Sequence, residues 1–180
     1  MARLALTSGP IVDPAHHIEF MKVYASSLLL WQIVEQNLFL LFSHIVQSSS
    51  KAPVTSAIYH SIINFSTRLS MIDEAMKMVY LNKPELGEWK KLTQRVDSMS
   101  RNRNRIAHST LKVHKETKTG KKSFRLASSI FDLRDGKDSE YTLSQMKDWQ
   151  DKFAGLAFEL SDFLRKVGAS VPKHRPEYFT

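Results

Sequence analysis

Cysteine is absent from the chain. That removes a disulfide scaffold, a thiolate nucleophile and a thiolate zinc site together, and it fits a reducing, cytoplasmic address. Glycine is scarce, with six residues in 180, and neither a Gly-rich phosphate loop nor a nucleophile elbow occurs. The opening segment MARLALTSGPIVDP carries one arginine and a short apolar run broken by Gly9, Pro10 and Pro14, too little for a signal peptide. Residues 1–13 are expected to form a disordered or irregular leader. A clean hydrophobic run is also lacking. The nearest approach, Tyr24 to Val46, has Gln32, Glu35, Gln36 and Asn37 at its middle, and burying the carboxylate alone in hydrocarbon would cost about 2–3 kcal/mol. A buried central helix is expected there, with no membrane partner. The histidines do not suggest a metal: His16 and His17 are adjacent, His60 is isolated, and His108 and His114 lack an acidic partner at ligand spacing. No metal or other cofactor is expected.

What is present is an apolar fraction of 42%, enough for the core of one ordinary domain, and an uneven charge. The net charge is +8. Between Lys83 and Arg125 there are thirteen Lys and Arg against four Asp and Glu, so the remainder of the chain is nearly neutral. Such a concentration suggests a polyanionic partner, nucleic acid first, against the alternative of a solvated surface that keeps the chain soluble.

Four long segments have helical period. The first runs from Pro14 to Gln47, with Pro14 as its starter and an apolar surface on nearly all sides from Leu28 to Phe42. The loop QSSSKAPVT follows. A second segment repeats apolar residues at Ile58, Ile62, Phe65, Leu69, Ile72, Met76 and Val79 and ends before Asn82-Lys83-Pro84. The third starts near Pro84 and places Leu92, Val96, Met99, Arg103 and Ile106 on one stripe, so an arginine occupies a core position. The fourth opens with a capping box, Thr142 and Gln145, continues through Met146, Trp149, Phe153, Leu156, Leu160, Phe163 and Val167, and stops at Gly168. Between the last two, Leu111/Val113 and Phe124/Leu126 alternate with polar residues around a Lys-rich turn. The expected fold class is all-α: an antiparallel four-helix bundle with a β-hairpin or basic flap inserted between the third and fourth helices. Residues 14–168 form the domain and residues 169–180 a C-terminal tail. The apolar excess on the first helix predicts a homodimer.

The segment SMSRNRNRIAHST, Ser98 to Thr110, lies at the end of the third helix. On a straight helix Arg101, Asn104 and His108 line up on one face, while Arg103 points about 140° away from His108. A guanidinium on a buried stripe needs an anion or several acceptors. Glu35 is a candidate partner, and snorkelling to the surface is the alternative.

Arg103 to His108, RNRIAH, resembles the signature of the HEPN family, an arginine, four to six residues and a histidine, with a polar residue directly after the arginine, here Asn104. The resemblance extends to a long first helix containing WQIVEQNLFLLF, a motif-bearing third helix and a closing helix, over roughly residues 14–168. It implies a metal-independent endoribonuclease working as a homodimer, with two motifs facing each other across a cleft and no cofactor. Cleavage by the ribose 2′-hydroxyl requires a base, an acid and positive charge on the phosphorane. Histidine titrates near neutrality and arginine stays cationic. The resemblance therefore makes His108 base or acid, Arg103 the phosphate stabiliser and Asn104 a hydrogen-bond positioner. Arg101, with six residues before the histidine and Asn102 after it, also satisfies the signature and is a secondary candidate.

Arg105, Lys112, Lys115, Lys118, Lys121 and Lys122 would track the RNA backbone independently of sequence. A toxin held by an antitoxin protein, or a defence nuclease, fits the resemblance. In antitoxin-modified members a tyrosine lies two positions after the histidine, and here that position is Thr110. The alternatives are a non-catalytic HEPN-like module that binds RNA or a nucleotide, and a protein-interaction module whose motif is structural.

Overall fold

The computed structural model describes residues 13–46, 52–118, 120, 122–127 and 140–168. The expected leader and tail lie outside the described residues, apart from Asp13, as do Lys121 and most of the segment after the hairpin. The chain is mostly helical, with five helices and a small sheet among the described residues. In chain order these are α1 (Pro14–Ile45), α2 (Ala52–Ser61), α3 (Phe65–Val79), α4 (Pro84–His108), β1 (Thr110–Lys115), β2 (Lys122–Ala127), β3 (Glu140–Tyr141) and α5 (Leu143–Lys166).

Helix α1 starts where Pro14 fixes its first turn and the Asp13 carboxylate accepts from Ala15 N–H at 3.0 Å. By length and hydropathy it could cross a bilayer. In this fold Phe20, Val23, Ser27, Trp31, Val34, Leu38 and Leu41 recur at steps of three and four and are buried. α1 packs along α5, and α3 and α4 complete the enclosure. The polar residues at its middle have separate destinations. Buried Asn37 donates to the Ala157 carbonyl at 2.9 Å and to the Ser161 hydroxyl at 3.0 Å on α5, while Glu35 turns toward α3 and α4. The outward side of α1 retains exposed Ile18, Met21, Leu29 and Ile33.

The expected second helix is two. α2 begins at Ala52, so Pro53 to Thr55, assigned to a loop by sequence, lie in a helix, and the chain breaks at residues 62–64 before α3. Asn64 causes the restart: its side-chain oxygen accepts from Ser66 N–H at 2.9 Å as an N-cap. The apolar stripe splits accordingly. Leu69, Ile72 and Met76 are buried, but Ile58 is exposed and Ile62 half-buried. α3 ends before a turn in which Asn82 takes a left-handed φ of 63°, a conformation asparagine tolerates better than most residues.

The fourth predicted helix forms as expected in α5, with the reciprocal Thr142/Gln145 capping box at its start and Gly168, φ 75°, past its end. The sheet is antiparallel in the order β1-β2-β3. The hairpin pairs Leu111 with Leu126 and Val113 with Phe124, the four apolar residues picked out by alternation. Phe124 packs on Phe20 and His17, and its N–H donates to His16 Nε2 at 3.1 Å, which ties the sheet to the start of α1.

Replacing Asn64 by Ala removes the α3 cap. A loss of about 1 kcal/mol in urea unfolding is expected, largely restored by Asn64→Asp. An unchanged midpoint would mean that the break between α2 and α3 is not set by the cap.

Candidate functional site

The three arginines of SMSRNRNRIAHST leave α4 toward three different partners. Arg101, largely exposed, pairs with Asp97 one turn earlier at 3.0 Å. Arg105 donates to Asn102 Oδ1 at 2.8 Å and lies over the Tyr141 ring of β3, 5.9 Å from its centroid. Asn102 is itself buried and donates weakly to Met99 Sδ at 3.8 Å. Arg105 thus fastens the end of α4 to the sheet. Arg103 turns to Glu35, with 3.6 Å between Nη2 and Oε1, and its Nη1 donates to Asn104 Oδ1 at 3.2 Å.

The expected Glu35 partnership is therefore present, but the burial is not. The Arg103 side chain is 35% exposed, and Asn102 is the buried polar residue of this turn. The stripe of α4 drifts around the helix as it leaves the core, so strict addition of threes and fours placed the arginine deeper than it lies.

Glu35 is the centre of a larger group. Its Oε1 accepts from the Trp31 indole N–H at 2.7 Å, and its Oε2 lies 3.5 Å from Arg68 Nη2. Arg68 stacks against Tyr59 and Phe65, 5.3 and 5.8 Å from the ring centroids. Three helices, α1, α3 and α4, thus meet at one carboxylate. Arg68 was not singled out by sequence, although it lies three residues after Phe65 and four before Ile72, on the flank of the apolar stripe, where a charged residue needs a partner. Two cavities flank the Glu35–Arg68 pair. One, of about 230 Å³, is lined by Gln32, Gln36, Phe39, Tyr59 and His60. The other, of about 360 Å³, lies between the start of α3 and α4 and is lined by Asn64, Ser66, Ser100, Arg103 and Asn104.

His108 is exposed on the last turn of α4. The helix stays intact through Ile106. Ile106 is fully buried, the helix continues to His108, and Ser109 N–H closes on the Arg105 carbonyl at 3.1 Å. Five residues of intact helix leave Arg103 and His108 about 7.5 Å apart along the axis and about 140° apart around it. Asn104 accepts from Arg103 yet lies one turn before His108 on the same helix face, while Arg103 turns away toward Glu35.

The lysines divide likewise. Side chains alternate across a strand, so Lys112, opposite Arg125, shares a face with His114, and Lys115 pairs with Lys122 on the other. Lys118 is exposed in the turn. Among the described residues, the hairpin lysines therefore lie on both faces of the sheet. His114 has an acidic partner that chain spacing concealed: its Nδ1 lies 3.1 Å from the Glu140 carboxylate, which also accepts from Arg125 at 3.0 Å. The partner arrives from β3 across the sheet.

The chain matches no protein-family model, no curated protein and no solved structure.

Two outcomes test the electrostatics of this group. Glu35→Ala leaves two guanidinium groups against the apolar core without their carboxylate, and a loss of about 2 kcal/mol is expected from urea unfolding, less than for a fully buried pair because Arg103 can reach water. Burial pushes the Tyr59 phenol up to about 12, a rise opposed by the Arg68 charge and reinforced by Glu35. A group raised in the folded state stabilises fully below its unfolded value, near 10, and that contribution is lost as pH rises toward about 12. Wild type should therefore lose stability relative to Tyr59→Phe between pH 9 and about pH 11. Parallel curves for the two proteins would contradict the shift.

Proposed function

We propose that the chain is a metal-independent endoribonuclease of HEPN type, acting as a cytoplasmic homodimer in which two RNRIAH segments face one shared cleft. The observation that carries this is the division of the motif. Arg103 is held half-exposed by Glu35, with Asn104 at its side, whereas His108 is exposed on another face of the same unbroken helix. On one chain the two side chains face different ways, and in this reading a second copy supplies the missing face. Exposed Ile18, Leu29 and Ile33 on α1 are apolar surface suited to such an interface.

In this reading α1, α3, α4 and α5 are the four helices of an antiparallel bundle, with α2 a short addition. His108 takes the proton of the ribose 2′-hydroxyl or delivers one to the departing 5′-oxygen. Arg103 balances the charge that grows on the phosphorane and Asn104 orients it. The products are a 2′,3′-cyclic phosphate and a 5′-hydroxyl. Lys115 and Lys122 on one face of the hairpin, with Lys118 in its turn, guide the backbone. Arg101, already neutralised by Asp97, contributes less than Arg103, and Arg105 anchors structure. A toxin or defence role suits such an activity, and Thr110 in place of tyrosine argues against control by modification at that position.

A second reading, an RNA- or nucleotide-binding module without turnover, is favoured by the Glu35 contact that occupies Arg103.

Chelator-treated protein should cleave single-stranded RNA. His108→Ala and Arg103→Ala should each lower the rate about 100-fold or more with unfolding midpoints close to wild type for His108→Ala. Intact RNA, or cleavage by His108→Ala at the wild-type rate, would overturn the ribonuclease reading. Tight RNA binding without cleavage would favour the second.

A further inference from the structure

The cavity between α3 and α4 is lined by two arginines and one carboxylate, Arg68, Arg103 and Glu35. Arg68 and Arg103 bring two full charges to one carboxylate, leaving a surplus of one. Neither contact is tight, at 3.5 and 3.6 Å against about 2.8 Å for a saturated guanidinium–carboxylate pair. Among the described residues, Arg68 Nε is buried with no hydrogen-bond partner, and a guanidinium cannot relieve this by losing its proton. Arg103 is reachable from solvent, and Asn104 beside it is exposed. The positive end of the α3 dipole adds to the same field. Glu35, meanwhile, is secured by Trp31 at 2.7 Å, so it can release Arg103 without losing its own best bond.

We propose that this cavity is a phosphate-binding site in which Arg68 and Arg103 share the oxygens of one phosphate group, Asn104 adds a further donor, and Glu35 is the internal counter-ion from which the phosphate draws Arg103. The proposal rests on the assignment of Arg103 to RNA phosphate made above, and adds Arg68, from a different helix, to the residues that hold it. A phosphate fits better than a carboxylate because two planar forks on different helices can engage three oxygens of a tetrahedral group at once. Its source is either a backbone phosphate of RNA or a free phosphate ion.

The test is calorimetric titration of the full chain, with inorganic phosphate against chloride at equal ionic strength, and with a 2′-O-methyl RNA octamer that cannot be cleaved. Wild type should bind phosphate. Arg68→Lys, which retains the charge and the stem but not the fork, should bind it about tenfold more weakly. Asn104→Ala, at an exposed position that leaves the fold intact, should lose about threefold. Binding of both probes with the same sensitivity to Arg68→Lys identifies RNA as the source. Binding of phosphate alone identifies the free ion. If wild type binds no phosphate, or if folded Arg68→Lys and Asn104→Ala both bind it as wild type does, the site is overturned, whatever the cleavage assay gives. If phosphate binds through Arg68 and RNA stays uncut, the ribonuclease reading falls and the site stands.

Discussion

One carboxylate organises this fold. Arg68, stacked on Tyr59 and Phe65, and half-exposed Arg103 both reach the edge of the core, and neither can discard its charge. Glu35 answers both and is itself held by the Trp31 indole. Because its partners come from α3 and α4, the ion group lies where those helices approach α1. Asn37, two residues on, makes the corresponding attachment to α5 through Ala157 and Ser161. The first helix therefore meets its neighbours through two polar fastenings set within its apolar length. Hydrophobic burial alone leaves a helix free to slide or turn by small amounts; directed polar contacts make one register preferable.

The same group separates the charges of α4. Arginines at alternate positions look like a uniform basic patch, yet Asp97, Glu35 and Asn102 engage them individually. The half-exposed member, Arg103, is the one facing a polar cavity. Arg101 is the more exposed but already has a surface partner, and Arg105 is turned to Tyr141 and the sheet. Solvent exposure by itself therefore does not rank these side chains for binding an anion.

Much of the helical architecture was legible because its signals are local. The Thr142/Gln145 capping box, the heptad after it, Gly168, Pro14 and Pro84 act within a turn of themselves, and the hairpin pairs follow from alternation over a few residues. The break before α3 was missed because the apolar spacing runs on through Ile58, Ile62 and Phe65, while Asn64, a cap by chemistry, falls between stripe positions. Glu35 could be named as the partner of Arg103, since an arginine on a stripe calls for an anion and the first helix has one at its centre. Arg68 could not be found in this way, because it flanks the stripe and its role depends on a three-dimensional meeting. The same holds for His114 and Glu140, which come together only when β3 joins the sheet. The distribution of Lys112, Lys115 and Lys122 over two strand faces follows from the alternation of a strand, which charge counts ignore.

The Trp31–Glu35 bond gives the molecule an internal optical gauge. An excited indole has a large dipole, and the colour of its emission follows the field at the ring. The 2.7 Å bond places the Glu35 charge at the edge of that ring, while Trp89 is tied to Asp73 at 3.0 Å and Trp149 lies against Tyr141. Any event that redistributes charge among Glu35, Arg68 and Arg103 thus changes the surroundings of one chromophore out of the three tryptophans in the chain. The Trp31 share of the emission therefore responds to the ion group without a label, against a background from Trp89 and Trp149.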